Sequence, residues 1–383
     1  MFKTRPRLAA LVFVLGALGA VATTSACTGF VRVRSTVVVP RDGELERRAE
    51  AAGYRDGFDE GRSDARHRAR YDPVGSRRYR SADRDYDRRF GPREEYARRY
   101  RGDFFADFPY AAYVPKTVTA DARPGNPAPR VTETPAGMIN AIGLENPGVD
   151  AWIEGLPEWA ALRRPVIVSV GGNSPDLYAA VVRALEAHLA SAPQATAPRI
   201  EGYELNVSCP NVASGLQIGA DPAATAAVVG ACRVETTRFL LAKLTPNVSD
   251  VTVAARAAVD AGADGLSLVN TFKAMVLDRE TLRPFLGNRT GGLCGPAIKP
   301  IALRMVAEVA QALPGVPLVG MGGVMSGLDA LEFIACGATA VGVGAANFTG
   351  FEAPSRILAE LRAELAARGF ASPAAARGIA LGA

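Results

Sequence analysis

The stretch VPLVGMGGVMSGLDALEFIACGATAVGVGAANF, residues 316–348, decides the fold. Two short apolar runs, VPLVGM (316–321) and TAVGVG (339–344), flank an amphipathic stretch at helical spacing near 326–335. Each run ends in glycines, so the pattern predicts strand, turn, helix, strand, turn. Strands that are apolar throughout are buried on both faces, which is the habit of a parallel sheet covered by crossover helices. The same rhythm runs back toward residue 110. It predicts further strands at 111–116, 164–170, 199–207, 238–244 and 264–270, with helices near 175–191, 221–233, 249–260, 297–312 and 352–367. Seven strands in about 270 residues fit a (β/α)8 TIM barrel, an α/β fold, with one strand short of the full set.

Polar residues stand where the apolar runs end: Lys116, Asn206, Lys243, Asn270 and the glycines of 320–323 and 342–348. In a barrel those positions converge on one face, where active sites lie. Either lysine alone reads more readily as a surface lysine with a buried stem. The two glycine-rich turns offer backbone N–H groups to a phosphate. Neither GxGxxG opening a first βα unit nor GxxxxGKS occurs, so a dinucleotide fingerprint and a P-loop are excluded.

The first 27 residues, MFKTRPRLAALVFVLGALGAVATTSAC, have a basic start, an apolar run from Leu8 to Ala22 and a small-residue stretch ending at Cys27. That is the layout of an export signal, either a plain signal peptide or a lipoprotein leader with Cys27 as its anchor. Residues 28–110 are rich in Arg, Tyr and Gly with few aliphatic side chains, which predicts a polar segment, disordered or helical. The net charge of +5 resides mostly there. Acidic residues interrupt the basic ones, which argues against a nucleic-acid partner. The expected domains are thus 1–27, 28–110 and a barrel over 111–383.

Five scattered cysteines without a CxxC pair suggest free thiols, and no metal site is expected. Two histidines, His67 and His188, leave no material for a Ser-His-Asp triad. In NVSCPN, Asn206 ends a strand and Cys209 falls in the loop after it. A cysteine there reads as a nucleophile, a general base or buried filler. A nucleophile wants an activating histidine, whereas a base needs only a thiolate near an acidic C–H, and asparagines suit a polar planar substrate.

The segments MINAIGLENPGVDAWI (138–153), YELNVSCPNV (203–212), AKLTPNVSDV (242–251), LVNTFKAMVLD (268–278), GGLCGPAIKPIALRMV (291–306) and 318–348 together resemble class 1 dihydroorotate dehydrogenases. They are most similar to the class 1B catalytic subunit, and they run in family order from about residue 112 onward. The resemblance implies an FMN-dependent oxidation of dihydroorotate to orotate in pyrimidine synthesis. Cys209 would take the C5 proton. Asn140, Asn206, Asn211, Asn270 and Thr271, with the backbone of Ile142, Gly143 and Leu144, would hold the substrate. Lys116, Thr117 and Lys243 would meet the flavin ring, and Gly291, Gly292, Gly295, Gly322, Gly323, Gly344 and Ala345 the ribityl chain and phosphate.

The resemblance also implies a homodimer, a cytoplasmic location against the export-type leader, and a second subunit carrying FAD and an iron-sulfur cluster that passes electrons to NAD. Related dihydropyrimidine dehydrogenases carry histidine where Asn211 stands here. Nothing in 28–110 resembles the family's opening strand, which carries an ASG turn. VRVRSTVVVP (31–40) is the candidate substitute; otherwise the chain is an inactive barrel remnant fused to a leader, or two genes joined.

Overall fold

The structure is a computed structural model that describes residues 110–156, 164–191, 199–208, 218–350 and 353–382. Before these it describes only short pieces at 48–49, 51–53, 55–56, 77–84, 86, 93 and 96–97. The leader, the 31–40 segment, Cys209 and Asn211 lie outside the described residues. The chain divides into two compact units with a boundary between Asp107 and Phe108.

In the first unit, Arg77–Ser81 forms a helical turn, and Asp56 is buried with the guanidinium groups of Arg78 and Arg84 against its carboxylate. The Tyr86 and Tyr96 rings meet edge to face at 5.2 Å. A buried carboxylate needs such partners, because a lone charge removed from water is strongly unfavourable.

The second unit holds the predicted parallel sheet. Its strands are β3 (Val166–Val170), β4 (Ile200–Leu205), β5 (Phe239–Lys243), β6 (Gly265–Leu268), β9 (Leu318–Met321) and β10 (Ala340–Gly342). They pair in the order β10-β9-β6-β5-β4-β3, every pairing parallel. The run expected as a strand at 111–116 is not a continuous ladder. It touches β3 through two parallel bridges, Tyr113 to Val166 and Val118 to Val170. Five steps of chain stand against four on β3, and Pro115, which has no N–H to give, falls in the extra turn. With this segment the sheet counts seven members, and among the described residues no eighth strand lies beside β10.

The connecting helices are α1 (Val149–Glu154), α2 (Pro175–Ser191), α3 (Pro222–Glu235), α4 (Val251–Asp260), α5 (Lys299–Ala312), α6 (Gly327–Ala335), α7 (Ala353–Ala367) and α8 (Pro373–Ala376). Their starts follow local chemistry. Asp221 accepts from the N–H groups of Ala223 and Ala224 with Pro222 in the first turn, and Asp250 accepts from Thr252. Ser326 and Asp329 form a reciprocal capping box on α6.

Helices and the outer sheet face share one large core, including Val168, Val170, Tyr178, Leu205, Leu240 and Phe333. A smaller core on the inner face joins Ala112, Ile167, Leu241, Val319 and Ala340. Val319, Ile167 and Leu241 come from alternate strands β9, β3 and β5, with Gly202 and Gly265 on the strands between, and Ala340 and Ala112 add both end members of the sheet. That is the layering of a barrel interior, in which the sheet curls around its own side chains.

A second sheet was not expected. It is antiparallel, in the order β1 (Val131–Thr134), β2 (Gly137–Asn140), β8 (Gly291–Cys294), β7 (Phe272–Ala274). It gathers the segments after the 113–118 strand, β6 and the loop that follows it.

Candidate active site

The C-terminal ends of β3, β4 and β6 and the chain after the Tyr113 bridge carry one hydrogen-bonded chain of side chains. The Thr117 and Ser169 hydroxyls lie 2.8 Å apart. Asn206 Nδ2 donates to Thr117 Oγ1 at 2.9 Å, and Asn270 Nδ2 donates to Asn206 Oδ1 at 3.0 Å and to Ser208 Oγ at 2.8 Å. Asn270 Oδ1 accepts from the N–H of Thr271, and Tyr178 Oη clamps the carbonyl of Asn206 from below. Thr117, Asn206 and Ser208 are buried. Buried amides carry such partners because an unpaired polar group out of water costs about 1–3 kcal/mol. Cys209 is the next residue after Ser208.

One layer deeper, Glu204 of β4 is almost wholly buried, 2% exposed. Its carboxylate accepts from Lys243 Nζ at 3.3 Å and from Ser267 Oγ at 2.8 Å. Neither Glu204 nor Ser267 was singled out from the sequence. The available signal was an acidic residue inside the run RIEGYELNV, two positions before Asn206 and hence on the same strand face.

The loop after β2 approaches the same place. A Cβ placed on Gly171 would stand 2.8 Å from Thr117 Cγ2 and 3.4 Å from Leu144 Cδ1, so Leu144 borders the amide chain. Gly143 and Leu144 both adopt left-handed backbone, and Asn126 holds the loop by its N–H to the carbonyl of Ile142 and its amide to that of Ala141. Lys116 is more exposed, with its ammonium 3.9 Å from Glu145, which also receives Arg130 at 2.7 Å.

The expected phosphate-binding glycines fall into two groups. Gly291 and Gly292 lie in β8, where Asn140 opposes Gly292 and donates a long bond to its carbonyl at 3.5 Å. A side chain at Gly291 would meet the Asn140 carbonyl at 2.5 Å, so glycine there lets β8 close on β2. Gly295 belongs to the second group: its carbonyl lies 2.8 Å from where a Cβ of Gly323 would stand. Gly322 and Gly323 have φ of 122° and 87° in the turn after β9, and Met321 pairs with Gly342 on β10, which brings the two glycine turns side by side. A Cβ on Gly344 would meet nothing, so this backbone borders open space. That cradle suits a phosphate held by main-chain groups.

The turn after β9 is braced from outside. Asp329 Oδ2 accepts from the N–H of Met325 at 2.9 Å and of Ser326 at 2.8 Å, and Lys299 at the start of α5 reaches both Asp329 and Glu332. Burial works against the Lys299 ammonium, but these carboxylates outweigh it and hold the group above its ordinary range. Burial likewise pushes the Asp329 carboxyl up, and Lys299 with the loop N–H groups brings it below the ordinary range. Burial raises the thiols too, Cys232 to about 12 and Cys294 in the same direction. Among the described residues, no group of His, Cys, Asp and Glu could hold a metal.

A family profile for dihydroorotate dehydrogenase matches residues 103–365. The chain belongs to the dihydroorotate dehydrogenase family. It is 50% identical over 260 residues to the dihydroorotate dehydrogenase B (NAD(+)) catalytic subunit of Desulforudis audaxviator, covering 67% of this chain and 81% of that one. The subunit of the same name from Pelobacter propionicus is 49% identical over 253 residues, with 64% and 80% covered. That of Geobacter sulfurreducens is 46% identical over 262 residues, with 68% and 83% covered. The protein is accordingly an oxidoreductase that oxidises dihydroorotate, a step of pyrimidine biosynthesis. Among the described residues, no helix is long and apolar enough to cross a membrane.

Proposed function

We propose that the barrel binds FMN against Lys243, Thr117 and the glycine turns, and oxidises dihydroorotate with Cys209 as the base. The observation that carries this reading is the amide chain Thr117–Asn206–Asn270–Ser208, which ends one residue before the cysteine. FMN, when bound, supplies an acceptor for the hydride that leaves C6 of the substrate. The chain's own part is to bind, orient and take a proton. Asn206 and Asn270, with Asn140 and Asn211, present amide donors and acceptors to the planar edges of the substrate. Cys209 takes the C5 proton as a thiolate, so that one proton and one hydride leave together as the ring double bond forms. Gly295, Gly322, Gly323, Gly344 and Ala345 fit the phosphate, because the space beside Gly344 is open and the turns carry no side chain to fill it. Lys116 stands at the rim of the same site, with Ile142, Gly143, Leu144 and Thr271 lining the substrate side.

The relatives' shared description as an NAD(+) catalytic subunit supports a second, electron-transferring subunit that ends at NAD. That this subunit carries FAD and an iron-sulfur cluster is part of the same proposal. A homodimer, a cytoplasmic place of work and the division at about residue 110 belong to the same proposal.

The test is a visible spectrum of the purified full-length chain reconstituted with FMN, recorded before and after dihydroorotate without oxygen. Bleaching of a bound yellow chromophore is expected. Failure to retain FMN, or bound FMN that dihydroorotate leaves yellow, refutes the reading.

A further inference from the structure

The Glu204–Lys243–Ser267 cluster has no part in the amide chain above it. Register explains why the three residues meet: Glu204 pairs with Leu241, and Lys243, two positions further along β5, pairs with Ser267 of β6. All three therefore face the barrel interior on neighbouring strands. Glu204 is 2% exposed in its side chain, whereas that of Lys243 is 22% exposed, so the ammonium is the open end of the pair. A buried ion pair contributes little net stability compared with well-packed apolar residues, and an apolar trio would fit this interior at least as well. The ammonium has three donors and the carboxylate takes one of them.

We propose that Glu204, anchored by Ser267, is a positioning residue. It fixes Lys243 at the mouth of the barrel and offsets its charge, and through the lysine it sets the balance between oxidised and reduced FMN. The inference rests on the FMN reading above.

The experiment measures the FMN midpoint potential and the dissociation constant of oxidised FMN for the full-length protein, Glu204→Gln, Lys243→Met and the double variant. Glutamine keeps the shape of the side chain and removes the negative charge. The uncompensated lysine then favours the reduced, more negative form of FMN by about tenfold. On a two-electron couple that is a rise of about 30 mV. Lys243→Met moves the potential downward. Glu204 acts through the lysine, so once the lysine is gone its replacement changes little, and the double variant has the same potential as Lys243→Met alone.

A Glu204→Gln potential that is unchanged or lowered overturns the inference, as does a rise of equal size in the Lys243→Met background. If Glu204→Gln leaves the protein insoluble, the comparison of Lys243→Met with the double variant still decides: potentials that differ by more than a threefold effect refute coupling through the lysine. Wild-type protein that binds FMN and bleaches with dihydroorotate separates these outcomes from failure of the FMN reading. Wild-type protein that binds no FMN overturns both.

Discussion

Replacing Asp329 by alanine tests whether the glycine turn after β9 is held from behind. The carboxylate accepts two backbone N–H groups, from Met325 and Ser326, and receives the Lys299 ammonium. Loss of a helix cap costs about 1 kcal/mol, and loss of a charged hydrogen bond about 1.5–3 kcal/mol. Glu332 still holds Lys299, so the two do not add fully, and a loss of about 2–3 kcal/mol is expected. For a domain of this size that lowers the melting temperature by about 4–10 °C. Asp329→Asn keeps an acceptor for the cap and should fall about half as far.

The pH dependence has a defined sign. The Asp329 carboxyl is depressed in the folded protein, so its contribution is present above the unfolded carboxyl value and disappears as pH falls through the folded one. Lys299 is raised, so its share is present below its unfolded value and is lost as pH rises through the folded one. The gap between wild type and Asp329→Ala should stay level from about pH 5 to pH 10 and close as pH falls below the ordinary carboxyl value through the depressed folded one. Scanning calorimetry at matched heating rates measures it. An alanine variant that melts within about 1 °C of wild type, or an asparagine variant that falls as far as alanine, refutes the reasoning.

Four further outcomes follow from the site. Asn206→Ala breaks the bond to Thr117 and takes one of the two acceptors of the Asn270 amide nitrogen, and it should lower kcat/KM for dihydroorotate by about a hundredfold or more while FMN stays bound; a loss of less than about threefold in steady-state assays excludes this amide from substrate recognition. Gly323→Ala forces an alanine to φ 87° with its Cβ 2.8 Å from the Gly295 carbonyl, and fluorescence titration should show FMN affinity reduced by about tenfold or more; unchanged affinity removes this turn from the phosphate site. An ordinary thiol titrates at about 8.5, so with Cys209 as base the rate should climb from neutral into alkaline pH, and a flat profile counts against it. Cys232, with its thiol pushed up to about 12 by burial, should stay unmodified by a disulfide reagent at about pH 8 until the protein unfolds; labelling of native protein, read by mass spectrometry, contradicts its burial.

The parallel sheet was legible because its strands are apolar on both faces: Val166–Val170 is buried at every position. Helix ends were legible where a cap marks them, as at Asp250, and the predicted 297–312 helix begins as a short 3-10 turn because Pro296 and Pro300 shape its opening. The antiparallel sheet was not legible. Its strands are three or four residues long, and VTET and FKA contain no apolar run from which to read a period. The strand expected at 111–116 lies beside β3 but is interrupted at Pro115, whose effect on register depends on the partner strand. Asn206 and Asn270 were found as polar residues ending apolar runs, and Thr117 through the family resemblance; the structure joins the three in one hydrogen-bonded chain. Glu204 escaped notice because a single acidic residue in a strand reads as an exposed face until the diagonal lysine on β5 is known.

In the amide chain at the mouth of the barrel, Asn270 Nδ2 has both its hydrogens engaged, one by Asn206 and one by Ser208. A ligand that bonds this amide must take the place of one of those partners, and its gain is the difference between the new bond and the one it displaces. An apolar ring of the same outline would break Asn270 away from Asn206 or Ser208 and return nothing. Discrimination is therefore built into the resting arrangement, and compounds that compete for this site must reproduce the order of donors and acceptors along the edge rather than the size of the ring.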